Sequence, residues 1–234
     1  MRIHRSPDSV NSSFQVNNML HLYKPLCNFV PAPFFDKFTD ENNGTFMDET
    51  EKLKSLVLAP FIIKATALIG KKRGVGGNQF RHAMATMAIL LDYKLFDDYV
   101  LLKASVIHDL LEDVPETNEF EIRIIDGQAD QVLELVKEVT RPDWMPKADY
   151  LKRILEDGSY NAKLLKCADR ISNLTDLHSD TQSAKKISDY LEETEKYVIP
   201  MAQQVNTNMV IELTDLVRRR REFLKIMKEY KPGE

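Results

Sequence analysis

Ser105-Val106-Ile107-His108-Asp109-Leu110-Leu111-Glu112-Asp113-Val114-Pro115 decides how this chain is read. An apolar run leads into a histidine and three acids, and a proline closes the stretch. As a helix, it places Asp109 and Glu112 at i,i+3, and both His108 with Glu112 and Asp109 with Asp113 at i,i+4, so these side chains can meet. Pro115 disfavours helical geometry at Val114, which crowds the acids into the last turn. Carboxylates at a helix C-terminus face the negative end of the macrodipole, at a cost of roughly 0.3–1 kcal/mol each. Such a cluster calls for a compensating cation. A divalent metal ion is the expected one, with His108 and Asp109 offering an imidazole and a carboxylate.

Working outward, period-2 alternation is nearly absent and helical periodicity recurs, so the fold class is all-α. Asp97 is expected to cap the helix that runs to Asp113. Upstream, Asp48 reads as the cap of a helix to Ile69 with a bend at Pro60. Gly70-Lys71-Lys72-Arg73-Gly74-Val75-Gly76-Gly77 is a basic loop that departs from the P-loop pattern. Residues Gln79 to Leu91 form a largely apolar helix carrying His82. Downstream, Asn118 caps a helix broken at Gly127 and resumed to Thr140. A rigid loop from Arg141 to Pro146 holds the single tryptophan, Trp144. A helix over Lys147 to Glu156 follows. In the next, Asn161 to Leu174, Asp169 and Asn173 share a face. The last helix is expected from Asn208 to Tyr230, with Met209, Leu213, Leu216, Phe223 and Met227 on the side buried against the core or another subunit.

The chain has 234 residues, 43% of them hydrophobic, which suits one large globular domain with an extension. Its net charge of −4 provides no basic field for a nucleic-acid polymer. The Arg218–Arg221 block reads as a solvated helix face. Cys27 and Cys167 stand in no metal or redox spacing, which suits a reducing cytoplasm. The polar N-terminus is unlike a secretory signal, and no apolar run is long enough to span a membrane. Residues 1–45, with prolines 25, 31 and 33 and several aromatics, read as a partly irregular extension, 46–205 as the main domain, and 206–234 as a C-terminal helix.

Two imidazoles, His82 and His108, and two carboxylates, Asp109 and Asp169, suit a divalent transition ion with positions open to water and substrate. Taken singly, each has an ordinary explanation: His82 as a satisfied core residue, Asp169 as an ion-pair partner of Lys166 or Arg170. Together they form a pattern. That pattern resembles the metal-dependent phosphohydrolases of the HD-domain type, helical bundles. Within them it is similar to the RelA/SpoT-type (p)ppGpp hydrolase domain, especially the small stand-alone alarmone hydrolases of the stringent response. The resemblance spans about residues 48–205. It rests on Arg73 with its Gly-containing loop, His82, the hexapeptide His108–Asp113, Val139-Thr140, and the stretch from Lys166 to Leu174.

The resemblance implies metal ligation by His82, His108, Asp109 and Asp169, with Mn²⁺ as the family's ion and another divalent transition ion as the alternative. It implies that Glu112 and Asp113 activate water and handle protons, and that Arg73 and Asn173 contact the guanosine part of the substrate. Lys72, with Lys71 and Arg73, is placed to neutralise phosphate charge. The implied reaction removes the 3′-pyrophosphate of (p)ppGpp, giving GDP or GTP and pyrophosphate, without a synthetase activity. Where the family loop carries lysine and serine after its arginine, this chain has Gly74 and Val75, and Ala83 stands where proline is common. The alternatives are therefore another nucleotide, an adenine alarmone or a nicotinamide dinucleotide phosphate, and a catalytically idle nucleotide-binding protein. A nucleotide is the expected partner, with neither nucleic-acid polymer nor membrane; a homo-oligomer stays open.

Overall fold

Asp98, rather than Asp97, starts the central helix. Its carboxylate accepts the Leu101 N–H at 2.9 Å, while Asp97 pairs with Lys52 at 2.7 Å. The computed structural model describes residues 51–177, 180 and 182–229, within a compact unit that begins at Asp48. The expectations for residues 1–45 and for the Asp48 cap lie outside the described residues.

The helices are α1 (Ala59–Ala65), α2 (Gln79–Asp92), α3 (Tyr99–Ile107), α4 (Leu110–Asp113), α5 (Glu119–Arg123) and α6 (Ala129–Val139). They continue as α7 (Lys147–Asp157), α8 (Tyr160–Asp176), α9 (Ala184–Glu193), α10 (Ile199–Val205) and α11 (Thr207–Glu229). A π-helical turn, Thr194–Val198, joins α9 to α10. The all-α reading holds: among the described residues the β-pairing is the isolated bridge between Lys72 and Asn78.

Helix α3 is the axis of the core. Every residue from Leu101 to Ile107 is buried, so it must pack on all sides, and it does so against α1, α2 and α6. Lys103 is carried into this interior because Asp126 and Gln128 accept from its ammonium at 2.7 and 2.8 Å. Helix α2 lies between α3 and α8, which brings the histidine of one face to the aspartate of the other. Helix α11 buries Met209, Leu213 and Val217 and packs on α8 and α10. Phe223, expected on its apolar side, is exposed.

Two further expectations are corrected. The helix from Asp48 to Ile69 is not continuous: a 3₁₀ turn (Leu53–Ser55) precedes an extended break, and Pro60 lies in the first turn of α1. Proline lacks the N–H that a helix interior needs but loses nothing in the first turn, so it starts this helix rather than bending one. The helix expected over 97–113 is also broken, at His108-Asp109. The His108 Nδ1–H donates to the Ser105 carbonyl at 2.8 Å, an acceptor that an unbroken helix offers to residue 109. Glu112 and Asp113 thereby enter the first turn of a separate four-residue helix. In a helix of one turn the first and last positions coincide, so the dipole no longer decides the matter; the need for a cation rests on the geometry below.

Candidate metal centre and cleft

The break between α3 and α4 turns His108 and Asp109 toward α2. With Nδ1–H committed to Ser105, His108 Nε2 carries the lone pair. It is buried and has no hydrogen-bond partner. Asp109 Oδ1 lies 3.3 Å from it, and Asp109 Oδ2 lies 3.7 Å from His82 Nε2. The imidazole rings meet edge to face at 5.2 Å. Among the described residues, His82, His108 and Asp109 bring one ligand atom each within 4.8 Å of one another. An unpartnered buried nitrogen costs about 1–3 kcal/mol, and a divalent ion shared with Asp109 would remove that cost. The donor set therefore fits a divalent transition ion held by imidazole and carboxylate.

Helix α8 supplies the floor. Asp169 Oδ1 lies 3.1 Å from His82 Nε2 and accepts from Asn173 Nδ2 at 2.6 Å. Its other oxygen meets the Lys166 ammonium at 2.7 Å. Burial alone would raise the Asp169 carboxyl, but Lys166 foremost and then the two histidines outweigh it and hold it well below the usual carboxylate range. Burial also acts against the Lys166 charge, and Asp169 with Tyr150 more than restores it. Asp169 thus joins the centre at His82 while its carboxylate is already shared with Lys166 and Asn173.

Sequence reasoning missed Ser172. Its hydroxyl lies 2.9 Å from His82 Nδ1, one helical turn beyond Asp169 on the same buried face. Partners of this kind fix a ligating ring's orientation and tautomer. Ser172→Ala is expected to weaken divalent-metal affinity about 10- to 100-fold with the fold retained, as read by metal titration of the apo-protein. Unchanged affinity would show that packing alone orients His82.

Arg73 and Asn173 come together: Arg73 Nη2 donates to Asn173 Oδ1 at 2.8 Å, and Nη1 to Asp176 at 3.2 Å. Gly76 and Gly77, at φ of +89° and +70°, close the loop behind Arg73, a conformation that glycine adopts without strain. Lys72 is exposed at the edge of the same loop. Glu112 accepts the Arg141 backbone N–H at 3.4 Å. Burial raises the Glu112 carboxyl, opposed by Lys166 and Arg141. Burial, then the Asp109 charge, raises Asp113, whose Oδ2 is buried without a partner.

A cleft of about 450 Å³ opens over these groups. His82, Asp109, Glu112 and Asp169 line one side, and Lys72, Arg73, Arg141, Lys147 and Lys186 bring cationic groups to its walls. Asp113 and His108 do not line it. The cleft is large enough for a nucleotide and carries the charge pattern for a polyanion. Arg141, Lys147 and Tyr190 were not singled out from the sequence, because nothing local marks residues that meet only through folding.

The all-helical domain thus sets a His-Asp pair at a helix break against a second histidine and an aspartate, beside a cleft lined with cationic groups. No model of a known protein family matches the chain. It is 31% identical over 128 residues to the mouse guanosine-3′,5′-bis(diphosphate) 3′-pyrophosphohydrolase MESH1, covering 52% of this chain and 70% of that one. The human protein of the same name is 30% identical over 149 residues, covering 61% and 82%. A solved structure, described as a metazoan ortholog of SpoT that hydrolyzes ppGpp, matches in fold with a TM-score of 0.58. It is 24% identical and the match covers 74% of this chain and 94% of that one. The chain belongs to the MESH1 family of HD-type pyrophosphohydrolases.

Proposed function

We propose that the protein hydrolyses the 3′-pyrophosphate of guanosine alarmones, converting (p)ppGpp and water to GDP or GTP and pyrophosphate. The observation that carries this reading is the unpartnered His108 Nε2, set within 4.8 Å of ligand atoms of His82 and Asp109, which line a cationic nucleotide-sized cleft. The names of its relatives point to the same substrate. His82, His108, Asp109 and Asp169 hold the metal in this reading, and Mn²⁺ is the ion proposed. When bound, the ion supplies a Lewis acid that polarises a phosphoryl oxygen and acidifies water.

The protein's own groups do the rest. Glu112, on the cleft wall and raised by burial, accepts the proton of the attacking water. Asp113, with an unpartnered oxygen behind it, is proposed to take part in that proton handling. Lys72, Arg73 and Arg141 offset the substrate's phosphate charge. Lys166 keeps Asp169 ionised. The two cysteines and the absence, among the described residues, of a helix long and apolar enough to cross a membrane accompany a proposed cytoplasmic location.

A second reading keeps the chemistry and changes the nucleotide. Both Arg73 amino groups are engaged by Asn173 and Asp176, and the loop lacks the family's lysine and serine. Contact with the base then requires displacing those partners. Purified protein should release GDP and pyrophosphate from ppGpp when Mn²⁺ is added and not after chelation. Turnover of an adenine or nicotinamide nucleotide in preference to ppGpp would overturn the guanosine assignment and keep the site.

A further inference from the structure

Arg170 is the next residue after Asp169, yet the mechanism above does not use it. Its side chain is 2% exposed, and a guanidinium at that depth is retained only where its charge and donors are met. They are met by α9. Nη1 donates to the Tyr190 carbonyl at 3.1 Å and to Thr194 Oγ1 at 2.8 Å. The guanidinium carbon also sits 3.9 Å from the centre of the Tyr190 ring. Thr194 opens the π-helical turn, and its hydroxyl donates in turn to the Tyr190 carbonyl at 2.8 Å. The end of α9 thus converges on one cation, at the place where the helix takes its wide turn. Single π-turns of this kind gather at functional sites.

The ring that Arg170 holds lines the cleft, beside Ile187 and Lys147. Lys147 Nζ lies 4.7 Å from the same ring centre and pairs with Glu193 at 2.7 Å. We propose that Arg170 is a positioning residue: through Tyr190 and the π-turn it fixes the α9 wall against which the end of the nucleotide remote from the reacting phosphate rests. This rests on the reading of the cleft as a nucleotide site. Turning the ring breaks a cation–π contact, and moving the turn breaks two hydrogen bonds, so the wall is organised before substrate arrives. Lysine cannot replace this residue, because a point charge does not span a carbonyl, a hydroxyl and a ring face together.

The test compares wild type, Arg170→Lys, Thr194→Val, Tyr190→Leu and the Arg170→Lys/Tyr190→Leu double variant in ppGpp hydrolysis with Mn²⁺. Arg170→Lys and Tyr190→Leu should each raise KM about 5- to 20-fold with kcat within about threefold, the mark of lost binding rather than lost chemistry. The double variant should be no worse than the weaker single, because both act through one ring. Thr194→Val removes the hydroxyl with little change of shape and should raise KM in the same direction, which keeps the test decisive if Arg170→Lys does not fold. Unchanged KM, a multiplicative double variant, or loss of bound Mn²⁺ in Arg170→Lys would overturn the proposal. Wild type that leaves ppGpp intact counts against the substrate reading instead. Arg170 is then read from calorimetric Kd values for GDP, ADP and a nicotinamide dinucleotide phosphate. Weakening by Arg170→Lys supports it, and equal or absent binding throughout overturns it.

Discussion

Asp109→Ala is expected to lose bound metal and turnover together. Its carboxylate is the group that faces both imidazoles, at 3.3 Å from His108 Nε2 and 3.7 Å from His82 Nε2. Without it, two imidazoles remain with Asp169, whose charge is already shared with Lys166 and Asn173. An ion of charge +2 is then held by too little negative charge in a half-buried site. The substitution spares the fold: Asp109 precedes α4 but makes no side-chain cap, so the helix loses no partner. Removing one preorganised electrostatic element costs catalysis about 10²–10³-fold, and loss of the ion itself should exceed that. Metal content after dialysis against Mn²⁺, and the rise of Tm on adding the ion, give the readout; wild type should shift and the variant should not. Full metal occupancy in Asp109→Ala would remove this residue from the ligand set and leave Asp169 as the principal carboxylate.

Much of this centre was legible in the sequence because its parts sit in short periodic stretches. His82 lies on an apolar helix, His108 and Asp109 at the end of another, and Asp169 and Asn173 one turn apart on a third. What periodicity could not convey is the break at His108-Asp109. No glycine or proline marks it there; the imidazole itself takes the Ser105 carbonyl, a side-chain choice invisible to a helical pattern. The 48–69 region failed in the opposite way. Pro60 was visible, but whether a proline bends or begins a helix depends on what precedes it, and Leu56 to Leu58 do not form a helix. Ser172 stood one turn from Asp169 and was open to discovery by the same helical-spacing reasoning that paired Asp169 with Asn173. Arg141, Lys147 and Tyr190 were not, since each reaches the cleft from a different part of the chain. The asymmetry is physical: ligands on helices are fixed by local geometry, whereas the cleft wall exists only after α7 and α9 have packed.

Glu112→Gln should retain the metal and lower kcat about 10²–10⁴-fold, the range that a positioned general base contributes. Glutamine keeps the length of the side chain and an oxygen for the Arg141 N–H, and Glu112 is outside the group of close ligand atoms. What disappears is the ability to take a proton. Burial raises the wild-type carboxyl, so the acidic limb of its kcat/KM profile should lie above the ordinary glutamate value of about 4.3, and a bound cation should pull it back down. Stability carries the opposite sign. A carboxyl whose folded pKa exceeds its unfolded value holds its proton more tightly in the folded state. Its contribution is therefore present below the unfolded pKa and is lost as pH rises through the folded one. In the metal-free protein, Glu112→Gln should accordingly gain stability relative to wild type between acidic and neutral pH, as it loses activity. Urea unfolding at two pH values and kcat in saturating Mn²⁺ separate the two effects. Unchanged kcat would transfer the proton-accepting role to Asp113, whereas loss of metal would make Glu112 a ligand. Activity lost with metal kept and neutral-pH stability gained identifies a carboxylate buried for chemistry at the expense of the fold.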